Sequence, residues 1–243
     1  MANIGHRIIA VPEREQYVDG LLADTGLPAD AVLWDHEHNG CMWNAIRAWS
    51  SYKDDPAATH WCVMADDTDV VNNFMTLEQM CVERFPDAIW TFYGQMSAKN
   101  RPARTPYIQL SSCNVRGIAF LMPVRLVDGY VDLCKKMLAE YGYKRDDGCA
   151  RIYAFMNNIP VMTTIPSLVR SHEIESSIKG HHITRNTDVW FGKDIGIAQF
   201  MTDNYEVRHI AHKSVVDCFL KDDNPVNIAV KDKWKRYNIL RRM

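Results

Sequence analysis

Three acids in four positions follow a short apolar run in the first third of the chain. Trp61-Cys-Val-Met64 has the character of a buried strand, and it leads almost directly into Asp66-Asp67-Thr68-Asp69. Carboxylates this close together repel one another, and a hard divalent cation such as Mg²⁺ or Mn²⁺ relieves that repulsion. A solvated acidic turn that caps the next helix is the competing interpretation. The segment therefore predicts either a divalent-metal site or an acidic turn.

Polar residues also follow the two preceding predicted strands. Arg7-Ile-Ile-Ala-Val11 is followed by Pro12-Glu13-Arg14, and Ala31-Val-Leu-Trp34 ends at Asp35. The carboxyl ends of parallel strands meet at one edge of a sheet, where open α/β sheets bind their ligands. We therefore expect these residues and the three acids to share an edge at which a nucleotide can lie. A helix-capping role for Asp35 and a surface position for Arg14 are the alternatives.

Two later segments carry further candidate residues. Ile165-Pro-Ser-Leu-Val-Arg-Ser-His172 leads a histidine back toward the predicted edge, where it can complete a metal site, although a structural or solvated histidine is the commoner case. Ser177 and Arg185, just beyond, are residue types that hold phosphate. Asp146-Asp147-Gly148 is either an ordinary turn or the carboxylate pair of an active site.

An alternation of strands and helices positions these residues. Helical spacing predicts helices at Tyr17–Leu22 with a stop at Gly26, at Cys41–Trp49, at Leu77–Cys81 and at Leu126–Tyr141 with a stop at Gly142. Apolar runs predict further strands at Ala88–Tyr93, Gly117–Pro123 and Pro160–Ile165. Continuous apolar strands that alternate with helices imply an α/β fold, with a mostly parallel sheet covered on both faces and a more mixed C-terminal half.

Composition excludes several classes of protein. Apolar residues make up 47% of the 243 residues and charged residues 24%, the balance of a globular protein, and the net charge of −2 gives no global attraction to nucleic acid or membrane. No apolar run approaches the ~20 residues of a membrane span, and Met1–Arg7 does not have the character of a secretory signal. Seven scattered cysteines without a Cys-x-x-Cys spacing argue against a disulfide framework or a zinc ribbon and favour a cytoplasmic location.

The order of these motifs resembles the glycosyltransferases of the GT-A type, nearest to small bacteriophage and bacterial forms. The resemblance spans roughly residues 7 to 190: a strand with Pro-x-Arg, a strand ending in Asp, Gly40-Cys-x-x-Asn44, a strand with Asp-Asp, and the late Pro-Ser-Leu-Val-x-x-His. It implies a GT-A-like, Rossmann-like single domain over residues 1–228. Residues 1–95 would be the half that binds nucleotide-sugar and metal, residues 96–228 the acceptor side, and residues 229–243 a basic tail.

The same resemblance implies roles for individual residues. In the family, strand-end acids bind Mn²⁺ or Mg²⁺, which bridges the diphosphate of a nucleotide-sugar donor, here most simply a UDP-sugar. Carried over by position, the metal ligands are Asp67, Asp69 and His172, and the donor-binding residues are Pro12, Arg14, Asp35, Asn44, Asp66, Ser177 and Arg185. Asp66 and Asp67 can equally be the acidic pair, with Asp69 outside the site.

A glycosyl transfer that inverts the anomeric carbon needs a general base, because a neutral hydroxyl is a poor nucleophile. Asp147 is the first candidate and Asp146 the second. A nucleotidyltransferase is the runner-up class, but Val11-Pro-Glu-Arg14 offers no Gly-rich or Lys-bearing loop. A non-catalytic binding module has no reason to gather acids at several strand ends. The P-loop and dinucleotide fingerprints are absent from the sequence.

The resemblance to phage proteins implies double-stranded DNA as the acceptor, through the hydroxyl of a hydroxymethylated pyrimidine. A bacterial saccharide or a protein hydroxyl is the alternative. The segment Lys231–Met243 carries six basic residues and one Asp, which fits contact with phosphates in a complex weakened by salt. A solvated basic face is the competing interpretation of this tail. Oligomeric state stays open.

Overall fold

The computed structural model describes residues 1–94, 107–111, 115, 117–172, 190, 192–194 and 206–209. Its strands are β1 (Ile4–Ala10), β2 (Val32–Trp34), β3 (His60–Ala65), β4 (Thr68–Val70), β5 (Ile89–Thr91), β6 (Tyr107–Ser111), β7 (Ala119–Pro123), β8 (Val161–Ile165), β9 (Val169–Ser171) and β10 (Glu206–His209). Its helices are α1 (Glu15–Thr25), α2 (Cys41–Ser50), α3 (Phe74–Arg84), α4 (Val124–Tyr141) and α5 (Asp146–Asn157).

A sheet of eight strands, in the order β10-β6-β8-β5-β7-β3-β1-β2, forms the centre of a single α/β domain. β1 lies parallel to both β2 and β3, and β5 lies parallel to β8. β7 runs antiparallel between β3 and β5, so that β1, β2, β3, β5 and β8 all point the same way. The carboxyl ends of these five strands therefore meet at one edge, as the sequence predicts.

Helices cover both faces of this sheet. The core on one face joins α2, α4 and α5, and the core on the other face joins α1 and α3. Strand β3 contributes to both, because Trp61 and Val63 point to the first core while Cys62 and Met64 point to the second. The expectation of a Rossmann-like, mostly parallel sheet between two helical layers is confirmed.

Glycines end two of the predicted helices. Gly26 after α1 has φ of 70° and Gly142 after α4 has φ of 60°, both in the left-handed region that disfavours residues with a Cβ. One prediction needs correction, because Asp146-Asp147-Gly148 is not a separate turn but the first turn of α5. None of the helices in the described part of the chain is long and apolar enough to cross a membrane.

Candidate functional site

The first three strands deliver polar residues to one edge. Ala10 at the end of β1 lies beside Trp34 of β2, and Ile9 lies beside Ala65 of β3. The Asp35 N–H then donates to the Ala10 carbonyl at 2.8 Å, and the Asp66 N–H donates to the Ile9 carbonyl at 3.0 Å. Backbone bonds to the central strand therefore fix the start of both acidic segments.

Asp66 ties the segment after β3 to the segment after β1. One carboxylate oxygen accepts from the Arg14 guanidinium at 2.8 Å, and the other accepts from the Val11 N–H at 3.1 Å. Pro12 and Arg14 are the first and last residues of the 3₁₀ turn that connects Val11 to α1. Burial raises the pKa of Asp66 more than the charge of Arg14 and the Val11 N–H lower it. The structure thus brings together Pro12, Arg14 and Asp66, all expected to bind the donor.

Asp67 meets His172 across a small two-stranded sheet. β4 pairs antiparallel with β9, and Thr68 lies opposite Ser171. The Ser171 hydroxyl donates to the Asp67 carboxylate at 2.7 Å, and the His172 N–H donates to the Asp67 carbonyl at 2.7 Å. Two residues expected to bind a metal are therefore neighbours, although 105 positions separate them.

Asp69 has different partners. Two nitrogens of the Arg170 guanidinium lie 2.7 Å from one carboxylate oxygen, and the Lys193 ammonium lies 3.1 Å from the other. Over the described residues, Asp67, Asp69 and His172 do not bring their ligand atoms into one group within 4.8 Å. Asp69 acts as the counter-ion of two cations in this structure. Asp66 is likewise paired with Arg14, so both alternatives for the acidic pair stay open.

A cavity of about 310 Å³ adjoins these acids. Its walls come from α1, β4, β9 and the segment at residue 193, and they are formed by Gln16, Tyr17, Gly20, Leu21, Asp24, Thr68, Asp69, Arg170, His172 and Lys193. The rings of Tyr17 and His172 lie 4.9 Å apart, and Lys193 also contacts Asp24 at 2.5 Å. Two acids and two cations leave the lining close to neutral, with hydrogen-bond donors and acceptors side by side.

Asp35 organises the loop that leads into α2. One carboxylate oxygen accepts from the backbone and side chain of Asn39, and the other accepts from the Gly40 N–H and from the Asn44 amide, the last at 2.6 Å. Burial raises the pKa of Asp35, but these hydrogen bonds outweigh it and bring the value to about 2. These contacts hold the loop and do not cap the helix, since α2 has Gly40 at its N-cap without a side-chain cap hydrogen bond, and Asn44 lies buried beside Asp35.

Asp146 and Asp147 begin α5 and differ in their partners. Asp146 is buried and accepts from the Cys41 thiol at 3.4 Å. Burial and the charge of Asp147 raise the pKa of Asp146 to about 6, and the charge of Asp146 with burial keeps the pKa of the Cys41 thiol high. Asp147 forms ion pairs with Arg145 at 3.3 Å and Arg151 at 3.1 Å. The pKa of Asp146 therefore lies nearer to neutral pH than that of an ordinary carboxyl group.

The segment before β7 lies between the two acidic regions. The Ile118 carbonyl accepts from the Ala65 N–H at 2.8 Å and from the Thr68 hydroxyl at 3.2 Å. On its other side, a Cβ added to Gly117 would lie 3.0 Å from the Asp147 Cβ. The two regions thus share one edge of the sheet but are separated by this segment.

Ser177, Arg185 and the basic residues from Lys231 onward lie outside the described residues. Their expected contacts with the donor and the acceptor stay predictions.

No protein-family model matches this chain, and no curated protein matches it. Among solved structures, the chain is similar to A197 from STIV, with a TM-score of 0.45 and 11% sequence identity over 72% of this chain and 87% of that one. A similarity of this size carries no argument about function.

Sequence reasoning missed several residues of this edge. Arg170 and Ser171 stand within the quoted Pro-Ser-Leu-Val-x-x-His segment, and their opposite environments follow from strand alternation once β9 is known. Lys193 and Tyr17 gave no signal, because a lone lysine and a helical tyrosine are ordinary surface residues. Their proximity to Asp69 and His172 depends on the tertiary fold.

Proposed function

We propose that this protein is a metal-dependent glycosyltransferase, which moves a sugar from a nucleotide-diphosphate sugar, most simply a UDP-sugar, to an acceptor hydroxyl. The observation that carries the proposal is the contact between Asp67 and His172 through β4 and β9. This backbone contact holds Asp67 and His172 side by side at the carboxyl edge of a mostly parallel sheet, where α/β proteins bind nucleotides.

Asp67 and His172 are the residues that would hold Mn²⁺ or Mg²⁺. Such a cation typically takes one or two protein ligands and completes its shell with water and substrate phosphate oxygens, so two protein side chains suffice. When bound, the cation stabilises the negative charge that develops on the departing diphosphate. Asp69 is the weaker candidate ligand, since Arg170 and Lys193 already neutralise its carboxylate.

The adjoining cavity suits a sugar better than a phosphate. Sugar hydroxyls donate and accept hydrogen bonds, and the lining offers both through Asp24, Asp69, Arg170 and Lys193. Its cations are already paired with carboxylates, so they provide little net attraction for a second anion. We therefore assign the diphosphate to the strand-end acids and their cation, and a sugar ring to the cavity.

The general base is better assigned to Asp146 than to Asp147. A base works best when its pKa lies near the working pH, and the pKa of Asp146 is raised to about 6. The carboxylate oxygens of Asp147 are already engaged in ion pairs with Arg145 and Arg151. An inverting reaction would use this carboxylate, whereas a retaining one needs no base at that place.

A nucleotide-sugar screen with matched variants tests the proposal. We expect sugar transfer or hydrolysis with Mn²⁺ that EDTA abolishes, and release of a nucleoside diphosphate rather than pyrophosphate. Asp67→Asn keeps an oxygen for the Ser171 hydroxyl but loses the charge, so activity should fall about 100-fold or more; His172→Ala should weaken Mn²⁺ binding. Asp87→Asn, at the opposite end of β5 in an exposed pair with Arg125, is the control. Full activity in EDTA or in Asp67→Asn overturns the metal mechanism.

Duplex DNA is the acceptor that the phage resemblance favours, and the proposal rests on residues outside the described part of the chain. We expect DNA binding that weakens steeply with salt and falls on charge reversal at Lys233, Lys235 and Arg236, because each lost phosphate contact reduces counterion release. Gel-shift titration at several salt concentrations measures this. Donor hydrolysis without any DNA binding at low salt would favour a saccharide or protein hydroxyl instead.

A further inference from the structure

A second group of possible metal ligands lies away from the strand ends, within the core shared by α1 and α3. His6 of β1 and Cys62 of β3 are register partners, and Glu78 of α3 lies over them. One ligand atom from each of the three lies within 4.8 Å of the other two. Glu78 and Cys62 are fully buried, and His6 is 7% exposed. Three elements thus place a nitrogen, a sulfur and a carboxylate together in the interior.

The surroundings of this trio are apolar. Met64, Leu77, Val82 and Ala88 belong to the same core cluster. Polar contacts with Glu78 partly compensate the burial: His6 Nε2 lies 2.7 Å from Glu78 Oε2, and the Cys62 thiol is hydrogen-bonded to the Glu78 carboxylate. The other carboxylate oxygen, Oε1, is buried and has no hydrogen-bond partner among the described residues. An unpaired buried carboxylate oxygen is costly and calls for a ligand or a functional reason.

We propose that His6, Cys62 and Glu78 form a structural site for a thiophilic divalent cation, Zn²⁺ before others. Imidazole nitrogen, thiolate sulfur and both carboxylate oxygens supply four donor atoms, which is the number that a structural zinc site uses. This coordination gives the unpaired Oε1 a partner. The trio is independent of the proposed transferase activity, because its residues lie in the interior rather than at the strand ends.

The charges and protons of such a site balance. Zn²⁺ replaces the Cys62 thiol proton, which is released to solvent, and bonds to Sγ and to the Nε2 of a neutral imidazole. The thiolate and the carboxylate then carry two negative charges, which the cation cancels. The bound site is therefore neutral, as an apolar core requires.

The donor set distinguishes this site from the strand-end acids. A thiolate and an imidazole select zinc, whereas carboxylate oxygens beside phosphate select Mg²⁺ or Mn²⁺. The buried position closes the trio to substrates and gives it a role in holding α3 against β1 and β3. Metal must therefore enter as the chain folds or when α3 opens.

The test refolds the full chain from denaturant with one equivalent of Zn²⁺ or Co²⁺, followed by gel filtration. We expect one metal ion per chain, a thiolate-to-cobalt charge-transfer band, and a higher unfolding temperature than for chain refolded in chelator. Cys62→Ala should lower the affinity by about 100-fold or more and remove the band. Cys81→Ala is the matched control, because Cys81 is equally buried on α3 but lies outside the trio.

Two outcomes overturn the proposal. One is wild-type chain, folded by circular dichroism, that retains no zinc and shows no thiolate band with cobalt. The other is equal metal retention by Cys62→Ala and Cys81→Ala. If Cys62→Ala fails to fold, the wild-type cobalt spectrum and native mass decide alone. If the wild-type chain retains zinc but shows no Mn²⁺-dependent sugar transfer, the proposed function is rejected and the zinc site stands.

Discussion

Two acids at the same edge of the sheet are nearly equally buried and yet have opposite acidities. Asp35 is 2% exposed and Asp146 is 7% exposed. The pKa of Asp35 is lowered to about 2, whereas the pKa of Asp146 is raised to about 6. Burial disfavours the ionised form of both and is the largest cause of the raised pKa of Asp146, so the lowered pKa of Asp35 needs a second cause.

The hydrogen-bond partners of the two carboxylates explain it. Asp35 accepts from three N–H groups of its own loop and from the Asn44 amide of α2, which stabilise its negative charge. Asp146 has a thiol, a weak donor, as its side-chain partner, two backbone hydrogen bonds, and the carboxylate of Asp147 next to it. An acid whose donors outweigh its burial serves as a fixed structural anion, and an acid whose burial outweighs its donors can exchange protons near neutral pH. The comparison therefore assigns a structural role to Asp35 and makes Asp146 the candidate base.

The largest expected effect is on stability, from Asp35→Ala. The change leaves the N–H groups of Asn39 and Gly40 and the amide of Asn44 without their acceptor, so we expect a loss of about 3–5 kcal/mol in the free energy of unfolding. Urea denaturation at pH 7 measures it. Asp30→Ala, an exposed acid just before β2, should change stability by less than about 0.5 kcal/mol. Equal effects for the two variants would show that the loop does not depend on Asp35.

Asp146→Asn should have an effect of the opposite sign. The folded pKa of about 6 exceeds the ordinary 3.8, so the folded state binds more protons between these values and stability falls as pH rises through this range. The asparagine amide does not ionise, so its stability does not fall with pH in this way. We expect the free energy of unfolding of the variant to exceed that of wild type by on the order of 2 kcal/mol at pH 8. The gain should vanish near pH 3, where Asp146 is protonated in both states. A pH-independent difference in urea midpoints would contradict the assignment.

Cys41→Ala should give the smallest effect. It removes the thiol that donates to Asp146, at a cost of about 0.5–1 kcal/mol, and should raise the pKa of Asp146 further. Carboxyl chemical shifts followed through a pH titration report this directly. Cys134→Ala, a buried thiol in the same core, controls for lost packing. An unchanged or lower Asp146 pKa in Cys41→Ala would remove the thiol from the explanation.

The sequence predicted the long elements of the fold because their patterns are local. Strand β3, the helix stops at Gly26 and Gly142, and the meeting of strand ends at one edge all follow from apolar runs and turn chemistry. Helix α5 was missed, because Asp-Asp-Gly resembles a turn and the apolar stripe begins only after it. β4 and β9 have three residues each, too few for a periodic pattern.

The candidate site was predicted in its residue types and less well in its pairings. Asp67 and His172 were expected together, and the structure makes them neighbours. Asp69 was expected beside them as a metal ligand, but its cations come from positions 170 and 193, which no local pattern connects to it. The buried trio of His6, Cys62 and Glu78 was missed for the same reason, because its histidine and glutamate stand 72 positions apart.

The pairing of β4 with β9 also sets the order in which the molecule is completed during synthesis. Asp67 and Ser171 are separated by 104 positions, so the acid leaves the ribosome long before its partner exists. At the usual elongation rates the interval is on the order of 5–20 s. Throughout that time the three strands β1, β2 and β3 are available to pair, while Asp67 and Asp69 have no β9 beside them. A nascent chain stalled before residue 171 therefore carries these two acids without the strand that holds them.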